Sequence, residues 1–269
     1  MTSNNSFYFK LSKKLTFDII KILKIFVECR LIMKDRYLEA DIKNIIINHM
    51  VNNSILEEND TLINEFTIGD YTRRVDLALI KPNKLYAYEV KSASDNLMRL
   101  EGQIKTYLEY FDKVTVVAAS KHIDKILDMT PLSVAVWELE NEKIKVIRRG
   151  RTNSVGDKLK FLDLMTVSDL LKIVRSEELS IKNLKRNILE QNLIYLPIFK
   201  LRKYAIQSLQ EKYKSTNQDL FNALNIKKTL DISDLELLRV NKVDKNEIML
   251  KDHLGSFLEA LEKLEEEYL

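Results

Sequence analysis

The chain of 269 residues is short of the residue types that several large enzyme classes need. It has five glycines, none of them in a Gly-rich phosphate loop. Kinases, P-loop ATPases and Rossmann dehydrogenases are therefore not expected. It has one cysteine, Cys29, so no internal disulfide framework exists. That fits a reducing cytoplasm. The three histidines, His49, His122 and His253, are scattered and make no zinc spacing with that cysteine. No apolar run approaches the 18 or so residues needed to cross a bilayer, so no membrane partner is expected. The N-terminus Met1–Ser6 lacks a charged segment followed by an apolar run, so no secretory signal is read there.

What is present is an ordinary globular composition with unevenly placed charge. The net charge is +3. From Lys143 to Lys160 seven basic residues (Lys143, Lys145, Arg148, Arg149, Arg151, Lys158 and Lys160) face one acid, Asp157. From Ser180 to Lys214 eight basic residues, among them Lys182, Lys185 and Arg186, face two acids. The stretch from Asp244 to Leu269 reverses sign, with eight acids against three lysines. The asymmetry points to a polyanion-facing surface in the middle of the chain, with solvated helix faces as the plainer reading.

Periodicity predicts helices over Leu15–Met33 and Tyr37–Met50, the second with Leu38, Ile42, Ile45, Ile46 and His49 on its buried side. Strands follow at Leu62–Ile68, Arg74–Ile80 and Leu85–Lys91. A helix capped within Ser92–Asp95 runs to Tyr110. Val114–Ala119 reads as a strand buried on both faces. His122–Met129 is a short helix, and Ser133–Leu139 and Lys143–Ile147 are two more strands. The strand–helix–strand step implies a parallel pair and a right-handed crossover. The expected fold is thus α/β, a mixed central sheet with flanking helices. Arg151–Lys160 reads as a polar linker, and helical periodicity dominates from Thr166, ending in Glu247–Tyr268. The expected division is a core over residues 1–160 and an all-helical C-terminal domain over 161–269.

The most informative residues are Asp76, Glu89 and Lys91. They lie on two strands joined by a Lys81-Pro82-Asn83-Lys84 turn. A symmetric hairpin about Pro82-Asn83 sets Asp76 opposite Glu89, with Cβ atoms about 5 Å apart. Lys91 points to the same side as Glu89. Two facing carboxylates about 4 Å apart repel by roughly 4 kcal/mol at an effective dielectric near 20. Either Lys91 compensates them as a simple ion-pair cluster, or a divalent cation does.

In this arrangement the chain resembles the PD-(D/E)XK nuclease superfamily, over roughly Tyr37–Leu139. Asp76 stands as the strand-borne aspartate and Glu89-Val90-Lys91 as the E-x-K, while Gln103 and Tyr107 look like its Q-x-x-x-Y element. Arg74-Val75-Asp76-Leu77-Ala78, Glu89-Val90-Lys91-Ser92, Arg99-Leu100 and Phe111-Asp112-Lys113-Val114-Thr115 are similar to a largely uncharacterised bacterial branch, in which Pro and Trp bracket the next strand as Pro131 and Trp137 do. The superfamily's proline before the aspartate is replaced by Val75. The resemblance implies a restriction-endonuclease-like core and a Mg²⁺- or Mn²⁺-dependent nuclease. Its substrate is expected to be DNA, with RNA not distinguished and a homodimer favoured if both strands are cut.

In that reading Asp76, Glu89 and the Val90 carbonyl hold the metal, Lys91 orients or helps deprotonate the attacking water, and Gln103 and Tyr107 hold Lys91 or the phosphate. The superfamily adds an acid from the first core helix. Glu39 is preferred for it, with Asp41 and Glu65 as competitors. Arg148, Arg149, Arg151, Lys182, Lys185 and Arg186 are the expected phosphate contacts. The alternative is a catalytically silent module of the same fold that binds nucleic acid or a protein partner.

Overall fold

A computed structural model describes residues 37–69, 73–180 and 183–239. The expected helices at Leu15–Met33 and Glu247–Tyr268, and Lys182, lie outside the described residues.

Helix α1 (Glu39–Asn52) leads into strand β1 (Thr61–Ile68), then β2 (Arg73–Lys81) and β3 (Lys84–Lys91). Helix α2 (Leu100–Tyr110) connects β3 to β4 (Lys113–Ala119), and α3 (Ile123–Met129) connects β4 to β5 (Ala135–Glu140). Among the described residues five helices follow β6 (Lys143–Arg148): α4 (Lys158–Asp163), α5 (Val167–Ser176), α6 (Arg186–Leu193), α7 (Ile198–Lys212) and α8 (Lys214–Lys227). A 3₁₀ segment, Ile232–Leu238, follows them. The six strands form one sheet in chain order. β3–β4 and β4–β5 are parallel and the other neighbours antiparallel. Each parallel step crosses over through a helix, as parallel pairing demands.

Helices cover both faces of the sheet, so β4 reads as the continuous apolar run that two covered faces require. On one face Ile104, Tyr107 and Ile126 from α2 and α3 share a core with Phe161, Leu170, Leu189, Leu201 and Leu209 from α4 to α7. On the other, Ile42, Ile46 and Met50 of α1 share a core with Leu220 and Leu224 of α8 and with Leu235 and Leu238. The boundary expected near residue 160 therefore does not separate two cores. The helices after it join the two cores that flank the sheet, α7 and α8 against the strands themselves and α4 to α6 through the helices beside them. Asn217 fixes the second layer to the sheet edge: its amide accepts from Leu62 N at 2.7 Å and donates to Leu62 O at 3.0 Å, completing the exposed ladder of β1.

Three local expectations are corrected. The buried side of α1 is Ile42, Lys43, Ile46, Ile47 and Met50, while Leu38 is exposed, so the stripe is rotated and includes a lysine. Ser92–Asp95 does not cap α2, because Asp95 Oδ2 turns back to accept from Ser92 N and Oγ, and the helix starts later, at Leu100. The supposed linker before 160 contains the start of α4, capped by Asp157 accepting from Leu159 N.

Candidate active site

The pairing Leu77↔Tyr88 and Ala78↔Ala87 is the symmetric register expected of the hairpin, and its next step sets Asp76 opposite Glu89. The ladder stops just before that step. Asp76 Oδ2 instead accepts from Val90 N at 2.6 Å, so its carboxylate lies between β2 and β3.

A second irregularity sits beside it. Asn64↔Leu77 and Phe66↔Val75 bracket Glu65 and Asp76 without a register shift, yet Glu65 has φ 59°. A non-glycine residue there costs about 1 kcal/mol or more. Across this level both strands change faces together. Leu77 and Leu79 pack in the α1-side core, whereas Val75 packs in the α2-side core together with Phe66 and Ile68. The distortion turns Glu65 toward the amino end of α1, where Glu39 is the first helical residue. One carboxylate oxygen each from Glu39, Glu65 and Asp76 lie within 4.8 Å of one another.

Two basic side chains meet this cluster. Lys43, one turn after Glu39 on α1, places Nζ 2.6 Å from Glu39 Oε1 and contacts Glu65 Oε1. Arg74 Nε pairs with Glu65 Oε2 by charge, although the approach lacks hydrogen-bond geometry. Burial of Lys43 opposes its charge, but Glu39 and Glu65 outweigh this and raise its pKa. Asp76 remains under-compensated. Burial, then the charge of Glu89, pushes its carboxyl up to about 8 against the pull of the Val90 N–H and Lys43. The repulsion expected from the hairpin register is thus present.

Glu89 belongs to a different set of partners. Its neighbours Tyr88 and Val90 pack in the α1-side core, and Glu89 itself, 1% exposed, meets α2. Lys91 Nζ lies 2.5 Å from Glu89 Oε1, Gln103 Nε2 donates to the same oxygen at 2.6 Å, and Tyr107 Oη lies 2.8 Å from Oε2. Gln103 Oε1 accepts from Lys91 Nζ at 3.3 Å. Tyr107 Oη also lies 2.7 Å from the carbonyl of Arg74, which ties the start of β2 to α2. Burial and Glu89 raise the Tyr107 pKa, so its hydroxyl stays a donor.

The expected single cradle of Asp76, Glu89 and Lys91 is therefore divided. Asp76 joins Glu39 and Glu65, while Glu89 and Lys91 join Gln103 and Tyr107. The reason is where each carboxylate finds its polar partners. The α2 side chains draw Glu89 to one face, and the α1 terminus and the kinked β1 supply oxygens at the level of Asp76. Both Glu39 and Glu65 reach the acidic cluster, whereas Asp41 accepts from Leu38 N at 2.7 Å and serves the start of α1. Sequence reasoning missed Lys43. The signal was its placement four residues after Glu39, which sets the two side chains together on a helix.

The basic residues expected to bind phosphate fare differently. Arg148 is committed to the fold: its guanidinium donates to Val134 O at 2.8 Å, to Leu127 O and to Thr130. Arg186 likewise donates to Met165 O at 2.9 Å and Leu162 O at 3.0 Å, and pairs with Glu190. Both guanidiniums are therefore engaged within the fold, reaching carbonyls at the carboxyl ends of α3 and α4 and, for Arg148, in the turn before β5. Arg149, Arg151 and Lys185 are exposed. The segment after β6 runs past the amino ends of β5 and β4, with Arg151 N bonded to Ser133 O and Asn153 N to Asp112 O. Glu89 and Lys91 lie at the opposite, carboxyl end of β3. The basic groups at the acidic cluster are Lys43 and Arg74, with Lys91 beside Glu89.

Comparison with known proteins adds a family but no activity. The family described as "Bacteriophage P4 protein cII" matches residues 33–239. "Protein cII" of Enterobacteria phage P4 is 30% identical over 216 residues, spanning 78% of this chain and 81% of the phage protein. A solved structure, the "SPO1766 protein of unknown function from Silicibacter pomeroyi", is 15% identical with a TM-score of 0.31, covering 46% of this chain and 85% of that one. That likeness is too remote to carry an argument.

Proposed function

We propose that this chain, which belongs to the bacteriophage P4 protein cII family, is a metal-dependent phosphodiester hydrolase with a restriction-endonuclease-like core, acting on DNA with Mg²⁺ or Mn²⁺. The observation that carries the reading is the convergence of Glu39, Glu65 and Asp76 oxygens within 4.8 Å, around an Asp76 whose proton is held to about pH 8. Such a cluster is short of positive charge.

The donor set fits the ion. Mg²⁺ takes hard oxygen ligands and keeps waters that a phosphate replaces. Glu39, Glu65 and Asp76 would hold it, with the Val90 carbonyl as the further backbone donor. When bound, the ion polarises the phosphoryl oxygen and lowers the pKa of the attacking water. The chain supplies the rest. The Val90 N–H fixes the Asp76 carboxylate at the mouth of the β2–β3 split. Gln103 and Tyr107 hold Glu89, and Glu89 holds the Lys91 ammonium. That ammonium offsets charge developing on the phosphate.

A second reading is a catalytically silent module that binds nucleic acid or a protein partner. It is favoured by one feature: both oxygens of Glu89 already have protein partners, so it adds no free ligand to the acidic cluster.

A cleavage panel of single-stranded, nicked and duplex DNA, with Mg²⁺, Mn²⁺ or chelator, separates the two. Wild type is expected to cut only with metal, and Asp76→Asn to lose about 10³-fold or more in rate while remaining folded. Equal cutting by both proteins would refute the nuclease reading. No metal-dependent cutting by wild type on any substrate would favour the silent module.

A further inference from the structure

Lysine is almost never fully buried unless paired, and the Lys43 side chain is only 5% exposed. It leaves α1 among Ile42, Ile46 and Ile47, so its stem is anchored by the core and its ammonium is aimed at one spot. That spot is the acidic cluster. Nζ touches Glu39 Oε1 and Glu65 Oε1, two of the carboxylates whose oxygens converge with Asp76.

We infer that Lys43 is the built-in counter-ion of this cluster and that a divalent ion enters only by displacing its ammonium from Glu39 and Glu65. The inference rests on the metal-site reading given above and deepens it. A divalent ion needs lone pairs on the oxygens that Lys43 now contacts, and two cations held against the same oxygens repel at close range. Lys43 therefore weakens metal binding. Without metal it has the opposite role, because three converging carboxylates with no cation among them oppose folding.

Calorimetric titration of Mn²⁺ into the full chain tests this. Lys43→Met is expected to bind Mn²⁺ about tenfold more tightly than wild type or more, since one competing charge is gone. Its metal-free Tm should fall, and Mn²⁺ should raise its Tm more than that of wild type. Lys43→Arg, which keeps the charge, should bind like wild type. A wild-type measurement covers the case in which Lys43→Met does not fold: acylation of Lys43 by an amine-reactive reagent, read by peptide mass spectrometry, should increase when Mn²⁺ is added. Unchanged or weaker Mn²⁺ affinity in Lys43→Met, or unchanged labelling in wild type, overturns the inference while leaving the metal site standing. Absence of Mn²⁺ binding in both wild type and Lys43→Met overturns the inference and the metal-site reading together.

Discussion

Asp112, in the bend just before β4, and Asp76, on β2, are both acids held against the same sheet, and their surroundings differ in kind. Asp112, 1% exposed, has a complete set of partners. It accepts from Leu85 N at 2.9 Å and Val155 N at 3.2 Å, and takes Arg202 in a two-pronged pair at 2.7 and 2.9 Å. Arg202 comes from α7, so this one carboxylate joins β3, β4, the segment before α4 and the helical layer. Asp76 has one hydrogen bond, from Val90 N, and acids on two sides. Completed partners make a buried acid a structural joint. Missing ones, with burial and like charge around it, hold the carboxyl in its protonated form well above the ordinary carboxylate range.

Breaking the complete site should have the largest effect on folding. Asp112→Ala leaves Arg202 buried without its partner and two backbone donors unmet, so a loss of about 3–5 kcal/mol is expected. Urea denaturation of the mutant and wild type measures it. A loss below about 1 kcal/mol would mean that the Arg202 pair is not a joint.

The incomplete site should respond in the opposite sense. Because the folded pKa of Asp76 is raised from 3.8 to about 8, the proton favours the folded state. Its contribution is fully present below the unfolded value and is lost as pH rises through about 8. Metal-free wild type should therefore lose stability across that window, and Asp76→Asn should flatten the slope. Thermal melts in chelator from about pH 5 to pH 9, which follow the upper part of the window and its close, provide the check. A slope unchanged by the mutation would assign it to another group. Mn²⁺ binding should strengthen over the same range, since the ion must displace that proton.

The smallest effect separates basic residues at the two ends of the sheet. Arg74, beside Glu65, should contribute to DNA binding, so Arg74→Ala should reduce the salt slope of affinity by about one. Arg149→Ala, at the far end, should leave it unchanged. The reverse result would return the DNA path to the 143–160 segment.

Much of this was legible in the chain. The Pro82-Asn83 turn fixed the β2–β3 register, and thereby the Asp76–Glu89 level, because side-chain period two leaves no freedom once the turn is set. Gln103, expected to hold Lys91 or the phosphate, does meet Lys91, while Tyr107, one helical turn on, meets Glu89 instead. The division of the site was not legible, since it depends on the positive φ of Glu65 and on which helix covers which face. Nor was the role of Arg148 and Arg186, which look like surface cations until the carbonyls they reach are folded beside them.

The sequence by itself determined the local facts: strand and helix positions, the hairpin register, and which side chains carry charge. These follow from short-range sterics and periodicity. The tertiary structure alone decided that Glu39, Lys43 and Glu65 gather at Asp76 while Glu89 turns to α2. It also decided that the C-terminal helices share the sheet's cores. Those outcomes depend on packing between distant segments, where burial changes both the cost and the direction of each charge.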